Sequence, residues 1–429
     1  MLGGGNFTTM TKVLPGTYIN FESEGSGATA STERGYVGYA HSFGWGEDDK
    51  IVVLTASDFM KDSEKIFGYK YSDEKMQPIR EIFANASVIY TYKLASGGTR
   101  ASNTIALAKY AGSRGNDIKI AVSQDVDDET KMIVDTYLDI KKVDSQKISS
   151  ASDLKDNDYV TFKEDAKLAV TAATPLQNGS DGTVDGSAHS EFLAKLEAYA
   201  SVNVVAYDGE DKKIANTYAA WAKRMREDVG IKVQAVLYDV AYDNECEINV
   251  INCKEIVPWV AGLEAGLGVN ESATNMTYNG EVSEDIIKAN ERNAEALKDA
   301  IKKGQFVIHN VDGTPKVLED INSLVTFTKE KGTVFKDNKT IRVIDQIARD
   351  VAEIFNETYL GGDTTSESRE SFKSDIKTEH DELVNAKALE SYDEKALKVD
   401  LFNKNAFQVS DAIVVAGTAQ ILYMTVKVS

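Results

Sequence analysis

The chain has 429 residues, 68 of them acidic and 48 basic, giving a formal net charge of -20. That length calls for two or more domains and removes core size as a limitation. The acidity, with no Lys/Arg cluster in the sequence, excludes a general phosphate-backbone binder, and no apolar run reaches membrane-spanning length, so neither nucleic acid nor direct membrane insertion is expected.

Residues 1–22 read as an N-terminal arm. The first eleven are Gly- and Thr-rich, with no basic region and no apolar run, so no signal peptide is expected. Pro15-Gly16 marks a turn or a sheet edge, because proline has no N–H for a ladder. Tyr18, Ile19, Asn20 and Phe21 can then run extended.

Residues 23–94 read as a small α/β unit. A Gly/Ser-rich loop leads to strands at 34–40 and 50–55, a helix at 72–85 with Pro78 inside it, and a strand at 88–93. The character changes at Ala95-Ser96-Gly97-Gly98. Short strands at 102–109, 117–123, 131–140 and 159–163, rich in turn residues between them, predict an inserted β domain over 95–182. It ends in the linker Pro175-Leu176-Gln177-Asn178-Gly179.

From 183 to 330 helices and strands alternate. Ile214, Tyr218, Trp221, Met225 and Val229 share one helical face, and strands are expected at 202–207, 231–238, 247–251, 305–310 and 322–328. Alternation of this kind implies a mostly parallel sheet with helices on both faces. Residues 331–411 carry a regular stripe, Ile341, Ile344, Ile347, Val351 and Ile354, ended by Gly361-Gly362, and then a more polar helix over 366–387. In the last segment, 412–429, Ile413-Val414-Val415-Ala416 reads as a buried strand. Beyond it Leu422, Met424, Val426 and Val428 alternate with Ile421, Tyr423, Thr425 and Lys427, the period of a strand. Two extended arms at opposite ends suggest strand exchange between subunits; closure of an internal sheet by both arms stays open as the other reading.

Chemistry is sparse. Two cysteines, Cys246 and Cys253, form neither a zinc pair nor a disulfide framework and suit a reducing cytoplasm. Among four histidines there is no H-E-x-x-H, and the chain has no G-x-S-x-G elbow and no P-loop. Gly262-Leu263-Glu264-Ala265-Gly266 departs from G-x-G-x-x-G and reads as close helix packing. No cofactor, metal or catalytic group is expected. An enzyme reading would need a polar pocket at the carboxyl ends of the parallel strands, near Asp208 or Asp239; a monomeric binding module whose arms pair within one chain is a further alternative.

Several landmarks coincide: Val13-Leu14-Pro15-Gly16-Thr17-Tyr18-Ile19, Arg34-Gly35-Tyr36-Val37-Gly38, Tyr110-Ala111-Gly112-Ser113-Arg114-Gly115-Asn116-Asp117-Ile118 and Pro258-Trp259-Val260-Ala261-Gly262-Leu263-Glu264. With the long helix before Gly361-Gly362 and the apolar end, the chain resembles the contractile tail sheath proteins of myophages and of related particles, including defective prophages and R-type bacteriocins. The resemblance covers essentially the whole chain. It implies a structural subunit that polymerises helically around a tail tube and contracts to drive the tube through a cell envelope. It also implies a core likened to a subtilisin fold without a catalytic triad, a β-sandwich-like insertion facing outward, and terminal arms that donate strands to neighbours. The arm residues are then Tyr18, Ile19, Phe21, Ile421, Leu422, Tyr423, Met424, Val426 and Val428. Phe372, Lys373, Lys377 and His380 mark the candidate tube-facing helix, a solvated outer helix being the alternative. The implied partners are further copies, the tail tube protein, and the baseplate and tail terminator proteins. The implied location is the tail of a virion or phage-like particle, the subunit being made in the bacterial cytoplasm.

Overall fold

The computed structural model describes residues 3–5, 16–18, 34–281, 286, 293–329 and 331–426. At the N-terminus β1 (Gly3–Gly5) pairs in parallel with β2 (Gly16–Tyr18). Next come β3 (Tyr36–His41), β4 (Ile51–Thr55), helices α1 (Ala56–Phe67) and α2 (Gln77–Phe83), and β5 (Val88–Lys93). Helix α1 starts at a capping box, in which the Thr55 hydroxyl accepts from the Asp58 N–H and the Asp58 carboxylate accepts from the Thr55 N–H. It stops at Gly68, φ 79°. The helix expected over 72–85 begins at Gln77, after a 3-10 turn at Glu74–Met76. Pro78 is the reason: a residue without an N–H fits the first turn and not the interior.

The insertion contains β6 (Ala106–Ala108), β7 (Ile118–Gln124), β8 (Met132–Leu138), β9 (Lys141–Ile148), β10 (Val160–Phe162) and β11 (Thr171–Pro175). An antiparallel sheet of order β11-β7-β8-β9 faces the pair β10-β6 across a core of Ile118, Ile120, Val134, Leu138, Val160 and Leu176. Strands β9 and β11 lack apolar alternation, since β9 is largely polar and β11 is an exposed edge. They gave no period-two signal in the sequence.

The central part supplies α3 (Gly186–Leu196), β12 (Val204–Tyr207), α4 (Lys212–Arg224), β13 (Gln234–Tyr238), β14 (Glu247–Val250), α5 (Val257–Gly266), α6 (Ala294–Lys302) and β15 (Gln305–Phe306). Its sheet has the order β15-β14-β13-β12-β3-β5-β4. Every neighbouring pair is parallel except β4 with β5. Residues before and after the insertion therefore build one sheet. Alternate side chains divide between its faces. Val37, Val204, Val236 and Ile248 pack with α1, α2 and α5, while Val205, Ala235 and Leu237 pack with α3 and α4. The molecule is a mixed α/β protein with a mostly parallel sheet.

Downstream, β16 (Ile308–Val311) and β17 (Thr314–Val317) form a hairpin. The strand expected at 322–328 is absent. The Ser323 N–H bonds the Glu247 carbonyl at 2.9 Å, and the Val325 and Thr326 N–H groups are taken by one Asp243 carboxylate oxygen at 2.7 and 2.9 Å. A side-chain acceptor has replaced the neighbouring strand. Helices α7 (Asn338–Ile354) and α8 (Ser366–Asn385) follow, then β18 (Leu389–Tyr392), β19 (Lys398–Asn403), β20 (Ala406–Ser410) and β21 (Ile413–Val415). β19 pairs with β20, and β21 pairs antiparallel with β18. Helix α7 meets α8 and β18 where Val343 and Ile347, the latter from the stripe, pack with Leu383 and Leu389. No helix among the described residues is long and apolar enough to cross a membrane.

Candidate assembly interface

β21 is where the C-terminal arm leaves the fold. It is half-buried and not fully buried as its apolar run suggested, because it belongs to a ribbon of two strands only. The Ala416 N–H still bonds the Ala388 carbonyl at 2.9 Å. Beyond that point the chain enters no ladder as far as Val426. Ile421 is 73 % exposed, Leu422 84 %, Tyr423 90 %, Met424 74 % and Val426 65 %. Both sets of the predicted alternation stand in solvent, so nothing on this chain's described surface covers either face. Beside β21 lies a groove of about 630 Å³, walled by Ile321, Val334, Phe335, Ile344, Ile413 and Val415. At the other end Tyr18 lies in β2, whose register pairs it with Gly5. Ile19, Phe21 and Val428 lie outside the described residues.

Helix α8 is placed differently from its expected role. Phe372 is buried among Phe355, Tyr359 and Phe407, its ring 4.8 Å from that of Tyr359. His380 is fully buried; its Nε2 bonds an Asp411 carboxylate oxygen at 2.6 Å, and its ring stands against Tyr392. Burial opposes ionisation of Asp411, yet the bond with His380 and that with the Ala412 N–H hold its carboxyl below the usual value. These two side chains fasten α8 to the strands that lead into the arm, and so offer no surface to a tube. Lys373 is half-buried, and Lys377 pairs with Glu394 at 3.0 Å. What α8 turns outward is charged and polar.

The groups that an enzyme would need are engaged elsewhere. Burial, with the Lys93 charge nearby, pushes His41 down to about 3, leaving it neutral. His189 Nδ1 meets the Tyr218 hydroxyl at 2.8 Å. Burial pushes both thiols up to about 12, so neither is a thiolate at neutral pH. Asp208 accepts from the Tyr39 hydroxyl at 2.9 Å, and Asp239 pairs with Lys212 at 2.9 Å. No three His, Cys, Asp or Glu groups stand close enough to hold a metal ion among the described residues.

Polar groups overlooked in the sequence hold the C-terminal part to the core. Arg226 clasps Asp345 in a bidentate pair, both bonds 2.7 Å. Arg342, from α7, reaches Glu264 on α5 and Asp320, the latter at 2.7 Å, with all three side chains at most 1 % exposed. Half of the signal was available: Glu264 is the one charge in the otherwise apolar α5, whereas Arg342 lies off the apolar stripe of α7 and reads there as an ordinary polar position.

Comparison with known proteins decides what kind of chain this is. Residues 34–94 match the tail sheath protein Gp18 domain III N-terminal region, 96–181 the phage tail sheath protein beta-sandwich domain, 182–323 its central domain and 330–429 its C-terminal domain. The phage-like element PBSX protein XkdK of Bacillus subtilis is 33 % identical over 388 residues, 82 % of this chain and 81 % of that one. The chain belongs to the phage tail sheath family. It is a structural subunit of a contractile tail sheath and not an enzyme. The sheath tail protein of Desulfitobacterium hafniense superposes with a TM-score of 0.79 at 30 % identity, over 93 % of this chain and all of that one. The helical sheath of the anti-feeding prophage in its contracted state shares the fold, with a TM-score of 0.55 at 11 % identity over 97 % of this chain and 99 % of that one.

Proposed function

We propose that this sheath subunit polymerises helically around a tail tube by donating its terminal arms as strands to neighbouring copies. One observation carries the reading: an apolar segment of strand period, Ile421 to Val426, leaves the fold with its side chains in solvent. An apolar strand without a partner is the form expected of a donated strand, whose main chain completes another copy's sheet while alternate side chains enter pockets. β21, with β18 as its one partner among the described strands and an apolar groove alongside, offers an edge for a neighbour's arm. At about 1 kcal/mol net per hydrogen bond a single arm holds weakly, and repetition over the array makes the lattice strong.

In this reading the N-terminal arm spans 1–22, the outward-facing insertion 95–182, the helical and strand part 331–411 and the C-terminal arm 412–429, while the segments 23–94 and 183–330, expected as two units, make one α/β core around their shared sheet. Ile19, Phe21 and Val428 belong to the donated strands. The core corresponds to a subtilisin-like fold that has no working triad. The subunit is made in the bacterial cytoplasm and assembles with tube, baseplate and tail terminator proteins, the arms holding copies together while the cores swing outward during contraction.

The test is removal of residues 421–429 from the full chain. Circular dichroism and a sizing column should report a folded monomer, and negative-stain electron microscopy should show no tubes under conditions in which the intact chain builds them. Sheaths built by the shortened chain would end the strand-donation reading.

A further inference from the structure

Glu264 and Asp320 both pair with Arg342, through its two terminal nitrogens, in a site sealed from water. Arg342 Nη1 donates to Glu264 Oε2. Asp320 Oδ2 accepts from Arg342 Nη2 at 2.7 Å and from the Ala273 N–H at 2.9 Å. One oxygen of each carboxyl, Glu264 Oε1 and Asp320 Oδ1, is left buried with no protein donor. Two ionised carboxylates can only accept, so neither can satisfy the other. A buried acceptor without a donor costs about 1–3 kcal/mol, and more when charged.

We propose that Glu264 and Asp320 share one proton in the folded chain, which makes this contact a proton-held joint between the core and the lobe bearing the C-terminal arm. The proton sits on Glu264 Oε1 and is donated to Asp320 Oδ1, satisfying both orphaned oxygens at once. Burial and the Asp320 charge beside it push the Glu264 carboxyl well above the usual carboxylate range. Burial acts on Asp320 too, but Arg342 and the Glu264 bond hold it below that range.

The surrounding charges leave this arrangement intact. Arg34 spends its donors on the Leu267 and Glu264 carbonyl oxygens, both at 2.9 Å. The Glu271 carboxylate accepts from the Gly268 N–H. Asp337 caps α7 by accepting from the Thr340 N–H, Asp345 is clasped by Arg226, and Arg349 donates to the Lys232 carbonyl oxygen. Lys336 Nζ is given to the Ile301 carbonyl oxygen, and Lys339 faces the site as a diffuse positive field. None of these supplies a donor to either orphaned oxygen. Arg34, two residues ahead of β3, holds the α5 backbone beside the site, and α7 leads toward β21, so the joint lies at the foot of the C-terminal arm. That consequence rests on the assembly reading above; the shared proton itself does not.

The experiment compares unfolding of the full chain with Glu264→Gln between pH 5 and 8. A carboxyl raised in the folded state stabilises fully below its unfolded value, and the stability falls as pH rises toward the folded value. The amide of the variant supplies the same donor and does not titrate. The unfolding constant of the natural chain relative to the variant should therefore rise about tenfold per pH unit, other groups cancelling in the ratio. A ratio that stays flat overturns the proposal, as it would if a buried water bridged two ionised carboxylates. Asp320→Asn is the second variant, since its amide also provides the missing donor and should give the same slope. Failure of both amide variants to fold where the natural chain folds would equally overturn it. Because unfolding is read, the outcome is independent of whether tubes form.

Discussion

Single residues set how this subunit responds to pH. Glu247 lies on the central strand β14, wholly buried, and burial pushes its carboxyl up to about 8 against the help of Ser323 and the Tyr242 N–H. Its contribution is fully present below the ordinary unfolded value, about 4.3, and fades as pH rises toward the folded one. We expect Glu247→Gln to leave stability near pH 5 little changed and to raise it relative to the natural chain at pH 8. Chemical unfolding at the two pH values checks this; equal differences at both would mean that Glu247 is ionised in the fold. The carboxyl is enclosed by the non-strand segments that carry Tyr242 and Ser323, and nothing in the local string Cys246-Glu247-Ile248-Asn249 announces its burial.

At the scale of elements, close backbone approach holds the layers. A Cβ on Gly262 of α5 would stand 2.3 Å from the Ile82 carbonyl oxygen at the end of α2, and one on Gly266 would stand 2.1 Å from the Asn85 carbonyl oxygen. The glycine-rich string that invites a phosphate-site reading is thus a helix-packing surface, as its poor fit to the nucleotide fingerprint indicated. Gly262→Val should force α2 and α5 apart and cost about 1–3 kcal/mol or more, read as a lower unfolding midpoint with unchanged helix content. The buried Lys93 side chain acts at another joint, donating to the Ala111 carbonyl oxygen at 2.6 Å and pairing with Asp48 at 2.9 Å, where the core sheet meets the insertion.

For the whole molecule, the relevant feature is surface that the single chain leaves uncovered. Tyr423 at 90 % exposure has almost nothing to lose within the monomer. Tyr423→Asp should therefore shift monomer stability by no more than about 0.5 kcal/mol. If the arm is donated as proposed, the same change should weaken tube formation, because a charge would replace an aromatic side chain at the contact between copies. Sedimentation of assembled tubes beside unfolding of the monomer separates the two effects. Equal assembly by variant and natural chain would place Tyr423 outside the donated strand.

Local patterning along the chain was enough to place this protein among mixed α/β folds with a β insertion. The change to short strands and turns marked the β insertion, and the runs expected as strands at 88–93, 202–207 and 231–238 became adjacent or nearly adjacent strands of one sheet, the last of them shortened to 234–238. The apolar period beyond residue 420 was visible because side-chain patterning is local. The tertiary structure alone decided that 36–41 and 88–93 join the sheet of 204–250 across an intervening domain, since pairing between distant strands leaves no local trace. It alone turned Phe372 and His380 inward, because a sparse stripe on a polar helix does not say which neighbour covers it. It also assembled Glu264, Asp320 and Arg342 from three distant segments. A buried charge is tolerated only where the fold brings it a partner, and that partner is a matter of three dimensions.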